Sequence, residues 1–292
     1  NYAQLIQEAT LTSAAYLKNA LNDHFVLFKP RDVVSGDFYW CHSSAEKVIW
    51  AACDCTGHGV PGAFMSLIGI SLLDEVAVEK KITDAHEILN HVKKGILDRL
   101  GEKGASGERK DGMDCGLCVW DKTIPGPLPA GSMDSRKDEN YAGKLQFAGA
   151  YNPLFLMRKG IGKDLSGFQN LSDLGVLKLH NENFAEICAD KMTVGYQENK
   201  IGVSFTKKEI QLQKGDVLYT FSDGFHDQFG GPKGKKFSHR RFRELLYSVH
   251  DRPMSEQRDM LEKTIEEWKS FPGQHGGHLE QVDDICVIGV RV

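Results

Sequence analysis

Residues 48–62 read Val48-Ile49-Trp50-Ala51-Ala52-Cys53-Asp54-Cys55-Thr56-Gly57-His58-Gly59-Val60-Pro61-Gly62. The apolar run Val48 to Cys53 predicts a buried strand that delivers Asp54 at its end. Thr56 to Gly62, with three glycines and a proline, predicts a turn. Ala63 to Lys80 is apolar on most sides and predicts an internal helix. Its longest apolar run, Ala63 to Leu73, stops at Asp74-Glu75 and falls short of the ~20 residues of a membrane span. Thr83 to Leu100 predicts a second helix, with Thr83 or Asp84 as its N-cap. On a strand, Cys53 and Cys55 share the face opposite Asp54. If Asp54 faces a cleft, both thiols face the core as small apolar groups.

Three more segments repeat the arrangement of an aspartate beside alternating apolar residues: Ser35-Gly36-Asp37-Phe38, Ser222-Asp223-Gly224 and Val282-Asp283-Asp284-Ile285. Aspartates at strand ends can converge although they lie far apart along the chain. Converging carboxylates repel unless a cation sits among them. An all-carboxylate set without His or Cys partners suits hard ions, Mg²⁺ or Mn²⁺, better than Zn²⁺. Two such ions ~3.5–4 Å apart can share and activate a water for attack on phosphorus. Gly36, Gly57, Gly59 and Gly224 would let the backbone turn sharply and approach a ligand. One Asp-Gly pair is an ordinary turn; four acidic segments at the ends of apolar strands point to a metal site and a metal hydrolase.

Around this frame, strands are predicted at 26–29, 37–41, 115–121, 144–150, 154–158, 203–206, 210–213, 217–221 and 285–292, and helices at 238–250 and 255–268. Asn1 to Asn22 has helical spacing at Leu5, Ile6, Ala9, Ala14, Leu17 and Leu21, and reads as an N-terminal regulatory or linker helix. Two readings stay open for it: packing on the core, or continuation of an upstream coiled coil. Residues 122–143, rich in Pro, Gly, Ser and charge, read as a mobile hairpin insertion; Gly160 to Asn183 reads as irregular. No internal repeat or linker divides the rest. The expectation is one α+β domain over residues 23–292, with two packed, mainly antiparallel sheets and helices outside them.

Composition excludes several classes. The 292 residues carry a net charge of −4 from 36 basic and 40 acidic side chains, which argues against a whole-surface nucleic-acid footprint. Seven cysteines, an odd number in a long chain, fit a reducing cytoplasm better than a disulfide framework. No secretory signal is visible. The first residue is Asn, as expected for an excised domain, so membrane contact is expected only through a region upstream of it.

The ordered set of motifs resembles the SpoIIE-type phosphatases of the metal-dependent protein phosphatase (PPM, protein phosphatase 2C-like) superfamily. Lys29 to Trp40 is similar to their opening motif and Asp54 to Gly62 to their second. Asp111-Gly112-Met113-Asp114, Phe147 to Leu154, Lys191 to Gly195, Ser222-Asp223-Gly224 and Asp283-Asp284 follow in the family's order. The resemblance implies an α-β-β-α sandwich with two Mn²⁺ or Mg²⁺ ions at one end. It implies Asp54 as the bridge between them, the Cys55 carbonyl as a ligand, and Asp37, Asp223 and Asp283 as further carboxylates. Gly36, His58, Gly224 and Asp284 would support this shell, Asp284 by fixing a loop or holding a water. Ala150 stands where many members have aspartate, so a third metal held there is not expected. The implied activity is hydrolysis of phosphoserine or phosphothreonine by a hydroxide bridging the metals. The implied substrate is a small regulatory switch protein resembling an anti-sigma-factor antagonist, in bacterial signalling, with a homodimer formed through the N-terminal helix. The alternatives are a catalytically silent pseudophosphatase that binds a phosphoprotein, and a metal-dependent nuclease.

Other residues carry blander readings. Cys115 and Cys118 have the spacing of a thiol pair, but residues three apart on a strand face opposite ways. His275 and His278 read as a flexible loop. Lys233, Lys235, Lys236, Arg240, Arg241 and Arg243 read as a solvated loop and helix start, or else as a dock for an acidic or phosphorylated partner.

Overall fold

The alternating apolar runs assemble into two sheets, each covered on its outer face by helices. The computed structural model describes residues 2–100, 111–123, 140–168, 171, 176–200, 202–271 and 279–292. The first sheet runs β1 (Asp23–Lys29), β14 (Ile285–Arg291), β11 (Val217–Phe221), β6 (Leu154–Met157), β8 (Phe184–Ile187), β7 (Leu177–Asn181). The second runs β10 (Lys208–Gln213), β5 (Tyr141–Ala150), β4 (Gly112–Asp121), β3 (Lys47–Cys55), β2 (Phe38–Ser43), with β9 (Val194–Gly195) on the start of β4. A small hairpin joins β12 (Phe229–Gly230) to β13 (Lys235–Lys236). Every ladder among the described residues is antiparallel.

Three buried clusters define the layers. Trp50, Phe147, Leu156, Leu218 and Ile288 fill the space between the sheets. Ile49, Leu117 and Ala148 pack outward on α3 (Gly59–Leu73) and α4 (Ala85–Leu100) through Leu72, Leu73, Ile88 and Val92. Phe155, Tyr219, Phe221 and Val287 pack on the last two helices, His239–Val249 and Met254–Lys269, through Phe242, Leu246, Leu261 and Ile265. Each fully buried Leu, Ile or Phe contributes roughly 1.5–3 kcal/mol of transfer free energy, so the four-layer α-β-β-α arrangement follows from which strand face is apolar.

Several local expectations need correction. The N-terminal segment is two helices, α1 (Tyr2–Thr10) and α2 (Ala14–Ala20). Ser13 caps the second by accepting from the Tyr16 N–H at 3.3 Å, and such a cap ends continuity with the first. Leu17, Ala20 and Leu21 lie in the inter-sheet core, so α2 is part of the domain. Helix α3 starts at Gly59, inside the predicted turn, and continues as a π-helical segment, Asp74–Glu79. The resulting 21 residues are long and apolar enough to cross a membrane by length and composition, yet Met65, Ile70, Leu72, Leu73 and Val76 are core residues against the second sheet. At the start of α4 the expectation holds for Asp84, which takes the N-cap position and whose carbonyl accepts from the Ile88 N–H at 2.9 Å; Thr83 accepts from Lys47 instead, and the Ala85 N–H donates to Gln146 Oε1.

Residues 203–206 form no strand. The Phe205 N–H donates to Asn90 Oδ1 and the Thr206 N–H to Asp190 Oδ2, so side chains satisfy groups that a ladder would otherwise take. Conversely, 177–181 and 184–187 form a strand pair that the reading lacks; β7 is an edge strand with mostly exposed residues, and so has little alternation to detect. Cys115 faces the helix-side cluster and Cys118 the inter-sheet core, as the spacing requires. The central part of the 122–143 insertion and the His275–His278 segment lie outside the described residues.

Candidate functional site: an acidic cleft at one end of the sandwich

Asp54 sits on β3 among neighbours that set its direction. Cys53 and Cys55 belong to the helix-facing cluster, while Trp50 and Ala52 face the other sheet. By strand alternation Asp54 therefore points into the gap between the sheets, at the end where they part. The start of β2 brings Asp37, the end of β11 brings Asp223 and the start of β14 brings Asp283 and Asp284 to the same end.

The electrostatics report this convergence. Burial, then the charge of Asp54, pushes Asp37 well above the carboxylate range, with Asp284 and Asp283 adding to it. Burial, then Asp223 and Asp283, does the same to Asp54. Burial with Asp283 and Asp227 nearby lifts Asp223 to about 6, and burial with Asp284 raises Asp283. Among the described residues no three His, Cys, Asp or Glu side chains converge on one point tightly enough to hold an ion. The carboxylates line a shared cleft instead, as like charges do.

The structure adds a carboxylate that sequence reading missed. Asp114 is the direct cross-strand partner of Asp54 in the β3–β4 ladder, so the two side chains emerge on one face with Cβ atoms ~5 Å apart. Burial and the charge of Asp223 raise Asp114 to about 6, against a hydrogen bond from Thr193. Thr56 secures this register: its N–H donates to the Gly112 carbonyl at 2.9 Å and its hydroxyl accepts from the Gly112 N–H at 3.2 Å. The signal was the DGMD block itself, but only strand register assigns Asp114 to the cleft.

The supporting residues separate by role. Asp284 is buried, and its two oxygens accept from the Arg31 and Gly36 N–H groups, both at 2.7 Å. It thus closes the loop that carries Asp37. Gly36 is obligatory for packing: a Cβ there would lie 2.4 Å from the Gly57 carbonyl oxygen and 3.2 Å from that of Cys55. This close approach sets the Cys55 carbonyl beside the Asp37 loop. A Cβ on Gly224 would stand 2.0 Å from the Asp284 carbonyl oxygen, so the Asp223 and Asp283 segments touch through backbone. His58 precedes α3 without capping it; its Nδ1 lies 3.4 Å from Asp32 on the exposed rim. The basic cluster is largely paired, Lys236 with Asp227, Arg240 with Glu244, Arg243 with Glu186 and Arg241 over Trp268, which favours the solvated reading.

The donor set fits hard divalent cations. It is all oxygen, and Asp37, 2% exposed, keeps Oδ2 without a hydrogen-bond partner. A buried carboxylate oxygen with no partner is costly, and a cation facing it removes the cost.

Comparison with known proteins agrees with this geometry. Residues 174–292 match the family model described as Stage II sporulation protein E (SpoIIE). No curated protein sequence matches the chain. Among solved structures, the SiaA-PP2C domain of Pseudomonas aeruginosa is 28% identical, with a TM-score of 0.73 over 100% of this chain and 94% of that one. The phosphatase domain of SpoIIE from Bacillus subtilis, with part of its regulatory domain, is 19% identical with a TM-score of 0.61; the match covers 92% of this chain and 62% of that one. The RsbU and RsbW domains of a Mycobacterium tuberculosis protein are 16% identical with a TM-score of 0.59, over 93% of this chain and 60% of that one; these last two likenesses speak for the fold alone. Motif order, the four-layer fold, the acidic cleft and the family match over residues 174–292 agree, and together they support a SpoIIE-type protein serine/threonine phosphatase of the metal-dependent PPM superfamily.

Proposed function

We propose that this domain hydrolyses phosphoserine or phosphothreonine on a small regulatory switch protein, using two divalent cations, Mn²⁺ or Mg²⁺, held in the acidic cleft. The observation that carries the reading is the meeting of Asp37, Asp54, Asp114, Asp223 and Asp283 at one end of the sandwich, with Asp37 Oδ2 buried and unpartnered. Asp54, with Asp114, Asp223 and Asp283 around it, would hold the ions together with Asp37, Asp223, Asp283 and the Cys55 carbonyl. Bound there, the ions neutralise phosphoryl oxygens and lower the pKa of water.

The chain's own residues do the rest. Asp284 accepts from the Gly36 N–H and so fixes the loop carrying Asp37. Val60, at the start of the helix that follows the Asp54 turn, and Val282, next to Asp283, are exposed. Exposed apolar groups next to the acidic segments would suit a folded protein substrate better than a small phosphate ester. Self-association through the exposed Tyr2, Leu5 and Ile6 of α1 belongs to the same reading.

The test is release of phosphate from a phosphoserine switch protein with Mn²⁺, with chelator, and after Mn²⁺ is restored. Turnover is expected only with the ion present, and turnover that survives chelation would sink the reading. Tight binding of the phosphoprotein without turnover, Mn²⁺ present, would instead identify a pseudophosphatase. Asp114→Asn removes one charge from the Asp223 side of the cleft. It is expected to lower turnover by roughly 10–100-fold, the usual cost of losing a residue that orients metal ligands, with an unchanged circular dichroism spectrum.

A further inference from the structure

Tyr151 holds its backbone at a φ of +55°, a left-handed value that a bulky residue rarely adopts. The next N–H, of Asn152, folds back to the Ala150 carbonyl at 2.6 Å, which makes a three-residue turn of the uncommon, strained hand. Such strain persists only where the surroundings enforce it, and here they do. The Tyr151 N–H donates to the Asp190 carbonyl at 3.0 Å, and the Asp190 N–H donates to the Gly149 carbonyl at 2.9 Å. Asp190 is itself anchored: its Oδ2 accepts from the Thr206 N–H at 2.8 Å and from the fully buried Lys208 at 3.2 Å. Core packing does not account for the strain, because Tyr151 is 46% exposed.

The turn stands at the cleft. Asp54 pairs with Asp114 across β3 and β4, and Cys115 pairs with Ala150 across β4 and β5. Tyr151 follows Ala150 and so leaves β5 level with Asp114. Its hydroxyl is steadied without being buried. It accepts from Gln197 Nε2 at 3.2 Å, Gln197 Oε1 accepts from the Thr193 N–H at 3.3 Å, and the Thr193 hydroxyl donates to the Met113 carbonyl, next to Asp114, at 3.0 Å. Resting on the phosphatase reading above, we infer that Tyr151 is a specificity-determining residue: its strained turn presents the ring at the mouth of the cleft to the polypeptide that flanks the phosphoserine. A tyrosine ring offers a large apolar area with few rotatable bonds to freeze, and its hydroxyl stays available to backbone groups. What it selects is therefore a protein chain around the phosphate, not the phosphate ester alone.

The experiment measures kcat and KM of the full chain with Mn²⁺ on a phosphoserine switch protein and on p-nitrophenyl phosphate, which has no flanking polypeptide. The proteins are wild type, Tyr151→Gly, Tyr151→Asn and Tyr151→Phe. Glycine and asparagine accept the left-handed backbone and remove the ring. The expected result in both is a fall of about 10–30-fold in the ratio of kcat/KM for the phosphoprotein to that for the aryl phosphate, carried mainly by KM. Tyr151→Phe, which keeps the ring, should lose less. If Tyr151 only shaped the end of β5, the two substrates would suffer alike. An unchanged ratio in a folded Tyr151→Gly, beside wild-type turnover of the phosphoprotein, overturns this inference and leaves the phosphatase reading standing. A wild type that does not turn over the phosphoprotein with Mn²⁺ overturns the phosphatase reading, and the inference with it. Thermal unfolding in chelator checks folding; should Tyr151→Gly not fold, Tyr151→Asn reads the same contact.

Discussion

Asp54→Asn is expected to reduce phosphatase turnover by at least about 1,000-fold, equivalent to roughly 4 kcal/mol of transition-state stabilisation, while leaving the domain folded. The side chain is nearly isosteric, so the core does not change; the charge does. In the absence of metal that charge is a burden, because Asp54 is buried and faces Asp223, Asp283 and Asp114. Removing a desolvated carboxylate that its neighbours repel is stabilising or neutral. With metal the sign reverses. A ligand present at 100 times its dissociation constant stabilises the native state by about 2.7 kcal/mol, roughly 5–10 °C for a domain of this size. Wild type should gain this shift with Mn²⁺ and the Asn variant should gain little. Thermal unfolding therefore predicts a crossing: Asp54→Asn melts at or above wild type in chelator and below it in Mn²⁺. An equal Mn²⁺-induced shift in both proteins would remove Asp54 from the metal centre. A crossing without loss of turnover would separate metal binding from catalysis.

The acidic positions were legible because each stands at a place where an apolar run stops. Asp54, Asp223 and Asp283 sit beside strands whose buried faces the sequence displays, and a charge at the end of such a strand has few bland explanations. Asp114 and Tyr151 were not legible in that way. Asp114 joins the cleft through the β3–β4 register, which depends on which residues pair across two strands separated by the whole of α3 and α4. Tyr151 is one aromatic residue after an apolar strand until the fold sets its turn level with Asp114. The failure at 203–206 has a physical cause. Side chains of Asn90 and Asp190 take up backbone N–H groups there, and local pattern carries no information about distant acceptors. The sandwich itself was legible, since binary pattern fixes which face each strand buries.

Asp284→Ala is expected to impair the enzyme nearly as badly as loss of a ligand, though the side chain is turned away from the cleft towards a loop. Its carboxylate holds the Arg31 and Gly36 N–H groups at 2.7 Å each, and hydrogen bonds to an ionised acceptor are about twice as strong as neutral ones. Truncation leaves two backbone donors without a partner, at a cost of roughly 1–3 kcal/mol for each one that stays buried. One effect opposes this: Asp284 also repels Asp37, so its removal relieves some charge there. That relief is the smaller quantity, since burial and Asp54 both weigh more on Asp37 than Asp284 does. The loop carrying Asp37 should therefore loosen, and Mn²⁺ affinity should fall about 10–100-fold. Because the proposed ligands themselves remain, raising Mn²⁺ should restore turnover in Asp284→Ala but not in Asp54→Asn. Asp284→Asn keeps one acceptor and sets its amide N–H₂ against the second donor, so it should fall between the alanine variant and wild type. Titrating turnover against Mn²⁺ in the three variants distinguishes these outcomes. If Asp284→Ala stays inactive at saturating Mn²⁺ while remaining folded, Asp284 acts on the reacting groups directly and the loop-fixing account fails.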